Sequence, residues 1–242
     1  LYSVISEASI YILLQAGSRI ILPPPYLCCG YPAKVNARKT QQDGIRLRNT
    51  IIFSQIREML SYIDFSSCIV SCGTCRKSLE KAGAHEIFGC TITDVSEFAL
   101  QNGLIRQDTV TTTYQEETLY HTPCHDSLSG KAEHLFKTYA GYRLKQVPFC
   151  CSEAGTLALS RPDISGSMLE RKEGAIREMK PDMDTQELIL TNCPSCMSGL
   201  GRNSTLGITP RHIAAHLAIK KGGNSWKNEL KTLISKAERV TF

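Results

Sequence analysis

The sequence has no long hydrophobic run and no concentration of charge. The most apolar stretch near its start, Ile20 to Leu27, is short and contains Pro23-Pro24-Pro25, so it falls well below the ~20 residues that a membrane span requires. The formal net charge of +5 is spread over 242 residues, without a basic run or an acidic tail. We therefore expect no membrane span and no nucleic-acid partner.

The usual catalytic patterns are also missing. The chain has no Ser-His-Asp order, no phosphate-binding loop and no paired carboxylates, and no flavin or nicotinamide site is evident. We assign no catalytic residue, and we expect any organic cofactor to lie on another domain or chain. Because the chain starts at Leu1 without a signal region, we interpret it as a fragment or as one part of a longer polypeptide.

Cysteine, by contrast, is abundant, with 11 residues. The odd count, the chain length and the lack of a visible secretion signal argue against a disulfide framework. Adjacent Cys-Cys pairs combined with Cys-x-x-Cys motifs indicate metal ligation in a reducing compartment, although Cys-x-x-Cys alone also occurs at redox and zinc sites. We expect a cytoplasmic protein, whose association with a membrane would come only through a partner.

The two cysteine motifs occur twice in the same order. Cys28-Cys29-Gly30 precedes Cys72-Gly73-Thr74-Cys75, and Cys150-Cys151 precedes Cys193-Pro194-Ser195-Cys196. The pairs are 122 residues apart (150 − 28) and the Cys-x-x-Cys motifs 121 (193 − 72). This spacing predicts an internal duplication. We divide the chain into a first lobe at 1–110, a second lobe at 111–224 and a C-terminal helix at 225–242.

Strand patterns alternate with helix patterns in both halves. We expect strands at Arg19 to Leu22, Ser67 to Ser71, Ile87-Phe88, Thr118 to His121, Arg143 to Val147 and Glu187 to Thr191. We expect the longer helices at Thr40 to Ile63, Asp163 to Lys180 and Thr209 to Ile219. The order predicts an α/β fold with two similar lobes, each a small, mostly parallel sheet flanked by helices. The cysteine motifs follow strands, where open α/β sheets place their ligands.

These motifs resemble the cysteine-rich, or CCG-domain, iron-sulfur family, which includes the catalytic subunit of heterodisulfide reductase and the iron-sulfur subunits of glycolate, glycerol-3-phosphate and lactate dehydrogenases. The family unit is a leading Cys, then Cys-Cys-Gly, then Cys-x-x-Cys. More narrowly, the segments LPPPYLCCGYP, LYHTPCHDSLSG and LTNCPSCMSGLGR are similar to the carboxyl-terminal portion of large fused FAD-linked oxidoreductases.

The resemblance implies a set of metal ligands in each lobe: Cys28, Cys29, Cys72 and Cys75 in the first, and Cys124, Cys150, Cys151, Cys193 and Cys196 in the second. It implies a four-iron, four-sulfur cluster with extra ligands in the second lobe, where a zinc site with four cysteine ligands is the alternative. For the first lobe, a second cluster and zinc are both open.

Two departures from the family pattern stand out. Ser152 occupies the glycine position after the second pair, so we expect the turn there to differ from the glycine form. Cys124 lies 26 residues before Cys150 (150 − 124), and the same offset from Cys28 reaches Tyr2. The leading cysteine of the first lobe is therefore upstream or absent.

Other residues near the motifs have more than one interpretation. His121 and His125 flank Cys124 and either hydrogen-bond a cluster sulfur or relay a proton, or they cap a helix or lie at the surface. We interpret Glu153 as a solvated loop carboxylate. Cys68 and Cys90 lie outside the repeat, and we expect Cys68 to pack as a small apolar residue.

The function that the resemblance implies is electron transfer. The clusters would take electrons from a flavin-containing dehydrogenase domain or subunit that oxidises a 2-hydroxy acid such as D-lactate or glycolate, and pass them to a downstream carrier. FAD would be bound only by that partner, so we expect the electron-transfer part of an oxidoreductase rather than a stand-alone enzyme. A cluster-based (hetero)disulfide reductase and a non-catalytic, zinc-stabilised interaction module are the alternatives.

Overall fold

The computed structural model describes residues 3–105, 117–153, 157–180 and 185–236. The strands are β1 (Ser67–Val70), β2 (Thr91–Asp94), β3 (Glu117–Tyr120), β4 (Arg143–Gln146), β5 (Glu187–Thr191) and β6 (Ile208–His212). The helices are α1 (Ser3–Gln15), α2 (Tyr31–Val35), α3 (Lys39–Met59), α4 (Gly73–Lys81), α5 (Ala84–Phe88), α6 (Val95–Gln101), α7 (Ala132–Tyr139), α8 (Leu157–Ser160), α9 (Pro162–Met179), α10 (Pro194–Gly201), α11 (Ile213–Gly222) and α12 (Trp226–Ser235).

The strands form two parallel sheets. The first half contains the pair β1-β2, and the second half contains a four-stranded sheet in the order β4-β3-β5-β6, with every neighbouring pair parallel. The expectation of an α/β fold with parallel sheets flanked by helices is confirmed. The lobe boundary near residue 110 lies outside the described residues, and the duplication and the domain limits stay predictions.

The largest hydrophobic core lies between the two halves. Helix α1 belongs to the first half, yet it contacts α11 and α12 of the second half as well as α6. Tyr11 on α1 is fully buried, donates a hydrogen bond to Glu229 at 2.6 Å and stacks at a tilt against Trp226. Burial of this shared apolar surface is what holds the halves together.

Several element predictions are confirmed closely. Helix α9 lies within one residue of its predicted limits, α3 begins one residue early and ends at Met59, four residues before the predicted end, and β5 has the predicted limits. The predicted strand at Arg19 to Leu22 is wrong, because these residues pair with no strand, and Leu22 is 64% exposed. In the second half, by contrast, β4 pairs with β3.

Two further element predictions were wrong, one in the type of element and one in where a helix begins. Ile87-Phe88 is not a strand but the end of α5, which Gly83 and Gly89 bound on either side, and the strand β2 follows it. The predicted helix at Thr209 to Ile219 begins only at Ile213, since residues 208–212 pair with β5 as β6. His212 then caps α11, with its Nδ1 accepting the backbone N–H of Ala214 at 3.2 Å.

Candidate metal centre

The cysteine motifs of the second half lie together at the carboxyl ends of its strands. Cys124 follows β3, Cys150-Cys151 follows β4, and Cys193 follows β5. Because β4, β3 and β5 are parallel neighbours, their carboxyl ends share one edge of the sheet, and the three motifs meet there. In the first half Cys72 stands in the same relation to β1.

Both Cys-x-x-Cys motifs open a helix. Cys72 is the N-cap of α4 and Cys193 is the N-cap of α10, each in an extended conformation. The backbone N–H groups of Cys75 and Cys196 act on the thiols of these capping residues in the direction that lowers their pKa. A helix amino terminus favours negative charge, so the backbone itself stabilises thiolates at both motifs.

In the second half the sulfurs lie within ligand distance of one another. The Sγ atoms of Cys151 and Cys196 are 3.2 Å apart, and those of Cys124 and Cys150 are 3.9 Å apart. A ring nitrogen of His121 lies within 4.8 Å of the sulfurs of Cys151 and Cys196. Cys151, Cys193 and Cys196 are buried, whereas Cys124 is exposed at the rim of the site.

The first-half cysteines join the same group of sulfurs. The thiol of Cys29 lies close enough to Cys75 for the two to shift each other's pKa, and Cys72 is coupled in the same way to Cys75 and, across the halves, to Cys193. The motifs of the two halves therefore form one continuous group. Cys28 is exposed, and its backbone carbonyl accepts a hydrogen bond from Asn49 at 2.8 Å.

Hydrogen bonds between these thiols divide them into donors and acceptors. The bond from Cys75 lowers the pKa of Cys29 to about 6, and similar bonds lower the pKa values of Cys72 and Cys151. The donors Cys75, Cys150 and Cys196 have raised pKa values. Thiols this close together cannot all lose their protons unless a cation balances the negative charge. A metal centre bound by thiolates therefore fits this set of cysteines.

The loop that carries Cys150-Cys151 has an unusual backbone. Phe149 and Ser152, on either side of the pair, both have φ = 67°, a left-handed conformation that costs a non-glycine residue roughly 1–2 kcal/mol. Gly30 has φ = 79° at the matching position. The prediction that the serine turn differs from the glycine form is therefore wrong for φ. Ser152 keeps the left-handed turn, and its backbone N–H acts on the Cys150 thiol in the direction that lowers its pKa, although the neighbouring Cys151 raises it overall.

Lys172 is a site residue that the sequence analysis missed. Its side chain on α9 is fully buried, and Nζ contacts the carbonyl oxygens of Val147 at 2.9 Å, Pro148 at 2.8 Å and Phe149 at 3.2 Å. Nζ also lies 3.0 Å from Nδ1 of His121. Burial lowers the pKa of Lys172 to about 8, while the charge of Cys151 acts in the opposite direction.

The sequence pattern of α9 already placed Lys172 on the buried face of the helix. The buried positions of α9 include Ser165, Lys172 and Ile176, which lie at spacings of seven and four, so the lysine interrupts the inward face of the helix. A lysine on such a face indicates a buried partner for its charge, because lysine is almost never fully buried unpaired.

The two histidines have different surroundings. His121 is buried, and burial lowers its pKa. Since its Nδ1 faces the ammonium group of Lys172, the ring proton belongs on Nε2, which has no hydrogen-bond partner among the described residues and is free to donate to a site sulfur. His125 instead bonds Tyr31, with Nε2 and Oη 3.1 Å apart.

The remaining candidates lie outside the group of sulfurs. Glu153 is not a freely solvated carboxylate, because it pairs with Arg202 at 3.9 Å and is only 25% exposed. Cys68 packs against the small core around Phe53, as expected for a small apolar residue, and its Sγ lies 3.6 Å from that of Cys90.

Close contacts between the halves bring α4 against the loop that carries Cys124. A Cβ atom at Gly73 would lie 1.7 Å from the carbonyl oxygen of His125, so α4 approaches the Cys124 loop as closely as backbone allows. Arg76 also donates to the carbonyl oxygen of Ser127. The position of Cys72 beside Cys193 thus depends on glycine at 73.

Residues 118–201 match the family model described as CCG, cysteine-rich domain. An uncharacterized iron-sulfur protein of Methanococcus maripaludis is 22% identical over 79% of the chain, which spans 37% of that protein's length. Lactate utilization protein A of Geobacillus kaustophilus is 24% identical, over 88% of this chain and 91% of its own. The glycolate oxidase iron-sulfur subunit of Escherichia coli is 32% identical over 35% of the chain and 22% of its own length.

No solved structure matches the chain. Among the described residues, no helix combines the length and the apolar character needed to cross a membrane. The family match to residues 118–201, the sulfurs that lie close together there and the similarity to an iron-sulfur protein over most of the chain agree. Residues 118–201 are a cysteine-rich domain of the CCG type.

Proposed function

We propose that the chain is the iron-sulfur electron-transfer module of a flavin-linked oxidoreductase. The observation that carries this proposal is the continuous group of sulfurs formed by Cys29, Cys72, Cys151, Cys193 and Cys196 together with the thiols that bond them. Thiolates in this number and at these spacings suit iron-sulfur ligation better than a single zinc ion, which takes four ligands.

We assign a four-iron, four-sulfur centre to the second half, with Cys124, Cys150, Cys151, Cys193 and Cys196 as its ligands. Such a centre, when bound, accepts and releases single electrons. The burial of Cys151, Cys193 and Cys196 excludes water from one side of the site. Cys29, Cys72 and Cys75, with Cys28 at the rim, are the ligand candidates of the first half, where either a second cluster or zinc fits.

The exposed cysteines define where electrons would enter and leave. Cys124 and Cys28 are both exposed, and they belong to opposite halves of the site. We propose that one rim faces a flavin-containing dehydrogenase domain and the other a downstream carrier. The free thiols suit a reducing compartment, and we therefore place the module in the cytoplasm.

The substrate class follows from the relatives rather than from the site. Two of them are named for lactate utilization and for glycolate oxidase, and we propose that the partner flavin oxidises a 2-hydroxy acid of this kind. The flavin carries the hydride chemistry. The chain spans less than half of several relatives, so the partner domain is either fused to it or a separate subunit.

The exposed sulfur of Cys124 supports a second candidate. Its Sγ lies 3.9 Å from that of Cys150 but is open to solvent, so a substrate sulfur could approach the centre there. This access suits a disulfide reductase. A buried Cys124 would have excluded it.

Anaerobic purification followed by iron, sulfide and zinc analysis tests the proposal. We expect about four iron and four sulfide per cluster and little zinc. The reconstituted chain is then mixed with D-lactate or glycolate, with and without its flavin partner, and followed by visible bleaching and electron paramagnetic resonance. Reduction only with the partner supports the relay, whereas reduction by substrate alone contradicts it. Zinc without sulfide would instead support the interaction module, and turnover of a heterodisulfide by the pre-reduced chain would favour the reductase.

A further inference from the structure

Besides Ser165 on α9, which donates to the carbonyl oxygen of Ser152 after the pair at 2.9 Å, the long helix under each cysteine pair carries a buried polar residue that bonds carbonyl oxygens at or just before the pair. In the second half this is Lys172 on α9, which contacts three consecutive carbonyl oxygens just before Cys150. In the first half it is Asn49 on α3, whose amide donates to the carbonyl oxygen of Cys28 at 2.8 Å. Both helices thus support the cysteine pair with a buried polar side chain, but only α9 supplies a charged group.

The charge of Lys172 has few neighbours to balance it. Its ammonium group contacts the three carbonyls and a histidine nitrogen, all of them neutral. The ionisable groups close enough to act on it are Cys151, Cys196 and Cys150, of which Cys151 has the lowered pKa that favours a thiolate. A buried ammonium group without a negative counterpart costs several kcal/mol, so the anionic site is the counterpart that makes its burial tolerable.

The loop itself needs support from these contacts. Phe149 is left-handed at φ = 67°, and Ser152 beyond the pair is left-handed as well. Residues in such conformations persist only where surrounding contacts hold them. Lys172 bonds the carbonyl of Phe149 and the two before it, and it also fixes the ring of His121 beside Cys151.

We propose that Lys172 is a positioning residue of the second-half metal centre, which holds the strained loop of Cys150 and Cys151 and whose fixed positive charge makes that centre easier to reduce. This inference rests on the proposed iron-sulfur function. Net charge near a cluster is one of the factors that set its reduction potential, and outer-shell partners of ligands also set metal affinity.

Lys180 provides a matched control. It is also buried, lies at the end of the same helix, and bonds the carbonyl oxygens of Thr185 at 2.5 Å and Leu206 at 3.3 Å. Neither of those residues neighbours a cysteine. Lys172→Met and Lys180→Met therefore both remove a buried ammonium group from α9, but only the first does so at the site.

The test compares Lys172→Met, Lys172→Gln and Lys180→Met with the wild-type chain. We expect Lys172→Met to lower cluster affinity about 10-fold or more and to move the midpoint potential of the remaining centre to a more negative value, measured by anaerobic redox titration. Lys172→Gln keeps hydrogen-bond donors without the charge, so it should retain more metal but show the same direction of potential shift. It also serves if Lys172→Met does not fold. Lys180→Met should keep the wild-type potential.

An unchanged potential in both Lys172 variants, or an equal shift in Lys180→Met, would overturn the role of the charge. The positioning role has its own readout in the metal-free chain, where the alkylation rate of Cys150 is followed by mass spectrometry. We expect that rate to rise several-fold in Lys172→Met and to stay constant in Lys180→Met, and equal rates would overturn this role. A wild-type chain without iron and sulfide would refute the proposed function and the effect on potential, whereas iron-bound wild type with unaffected variants would refute only this inference.

Discussion

The two cysteine-rich halves carry the same motifs but support them differently. In the second half a four-stranded sheet presents three motifs at one edge, and Cys151, Cys193 and Cys196 are buried. In the first half only β1 leads into a motif, and among the described residues no strand precedes Cys28. The comparison shows that a repeated cysteine spacing does not by itself produce two equivalent sites, because the sheet and the helix beneath determine burial and charge.

The halves also reach across to each other through equivalent positions. Asp94 ends β2 and accepts a hydrogen bond from Ser127 of the second half. His212 ends β6 and bonds the carbonyl oxygen of Ser71 of the first half at 3.0 Å. Both residues also cap the helix that follows them. The same structural position is thus occupied by an acid in one half and by a histidine in the other.

The largest expected difference between the halves is in metal content. Cys193→Ser removes a buried sulfur that bonds both Cys196 and Cys72, so we expect it to lose most of the bound iron. Cys29→Ser changes a half-exposed residue of the first half and should leave the second-half centre in place. Cys68→Ala, outside the group of sulfurs, should keep the wild-type content. Equal iron loss in all three variants, measured by elemental analysis, would contradict the assignment.

Glycine-to-alanine changes test two close backbone approaches, one between the halves at Gly73 and one within the second half at Gly199. A Cβ atom at Gly73 would lie 1.7 Å from the carbonyl oxygen of His125 in the other half, and one at Gly199 would lie 2.2 Å from that of Cys151. Backbone atoms cannot easily give way, so we expect each change to lower the free energy of unfolding by about 3 kcal/mol. Gly44→Ala in α3 meets nothing within 4 Å and should raise it by ~0.5–1 kcal/mol. Urea unfolding measures all three.

In the metal-free chain, His212 and Asp94, which bond across the two halves, should make the free energy of unfolding depend on pH in opposite directions. Burial lowers the pKa of His212 from 6.5 to about 4. Between these values the unfolded chain holds the proton and the folded chain does not, so His212 makes stability fall as pH drops from 6.5 to 4. Burial raises the pKa of Asp94 from 3.8 to about 6, so the folded chain holds that proton, and stability falls as pH rises from 3.8 to 6.

The asparagine variants separate these contributions, since asparagine can still cap each helix. Each group contributes about 3 kcal/mol over its window, at 1.36 kcal/mol per pKa unit. Relative to wild type, His212→Asn should become less stable as pH rises from 4 to 6, and Asp94→Asn should become more stable. Urea unfolding at several pH values measures the difference. Parallel curves for the three proteins would show that neither residue keeps its shifted pKa.

We expect the smallest effect on stability from exchanging serine and glycine at position 152, after the second cysteine pair, and at position 30, after the first. Ser152 is left-handed, and its buried hydroxyl oxygen has no hydrogen-bond partner among the described residues. Ser152→Gly should therefore raise the free energy of unfolding by about 1 kcal/mol. Gly30→Ser should lower it by about 1 kcal/mol, because the residue is left-handed and the new Cβ lies 3.3 Å from Cγ2 of Ile45. Chemical unfolding of both variants checks the signs, and a loss of stability in Ser152→Gly would mean that the serine turn is not strained.

Much of the fold could be predicted from periodicity, since long helices and buried strands have strong local patterns. The limits of β5 and, to within one residue, those of α9 were predicted this way. The strand expected at Arg19 to Leu22 could not be corrected locally, because a strand exists only where a neighbour supplies hydrogen bonds. The division between β6 and α11 likewise depended on pairing with β5.

The sequence by itself determined the cysteine motifs and their repeat at 121 and 122 residues, and it predicted a thiolate-bound metal centre, since ligand type and spacing are local properties. Only the tertiary structure decided which sulfurs meet, because Cys72 reaches Cys193 through the packing of one half against the other. It also decided the role of Lys172. A lysine in a helix is ordinarily solvated, and only the burial of α9 against the Cys150 loop turns its charge into part of the site.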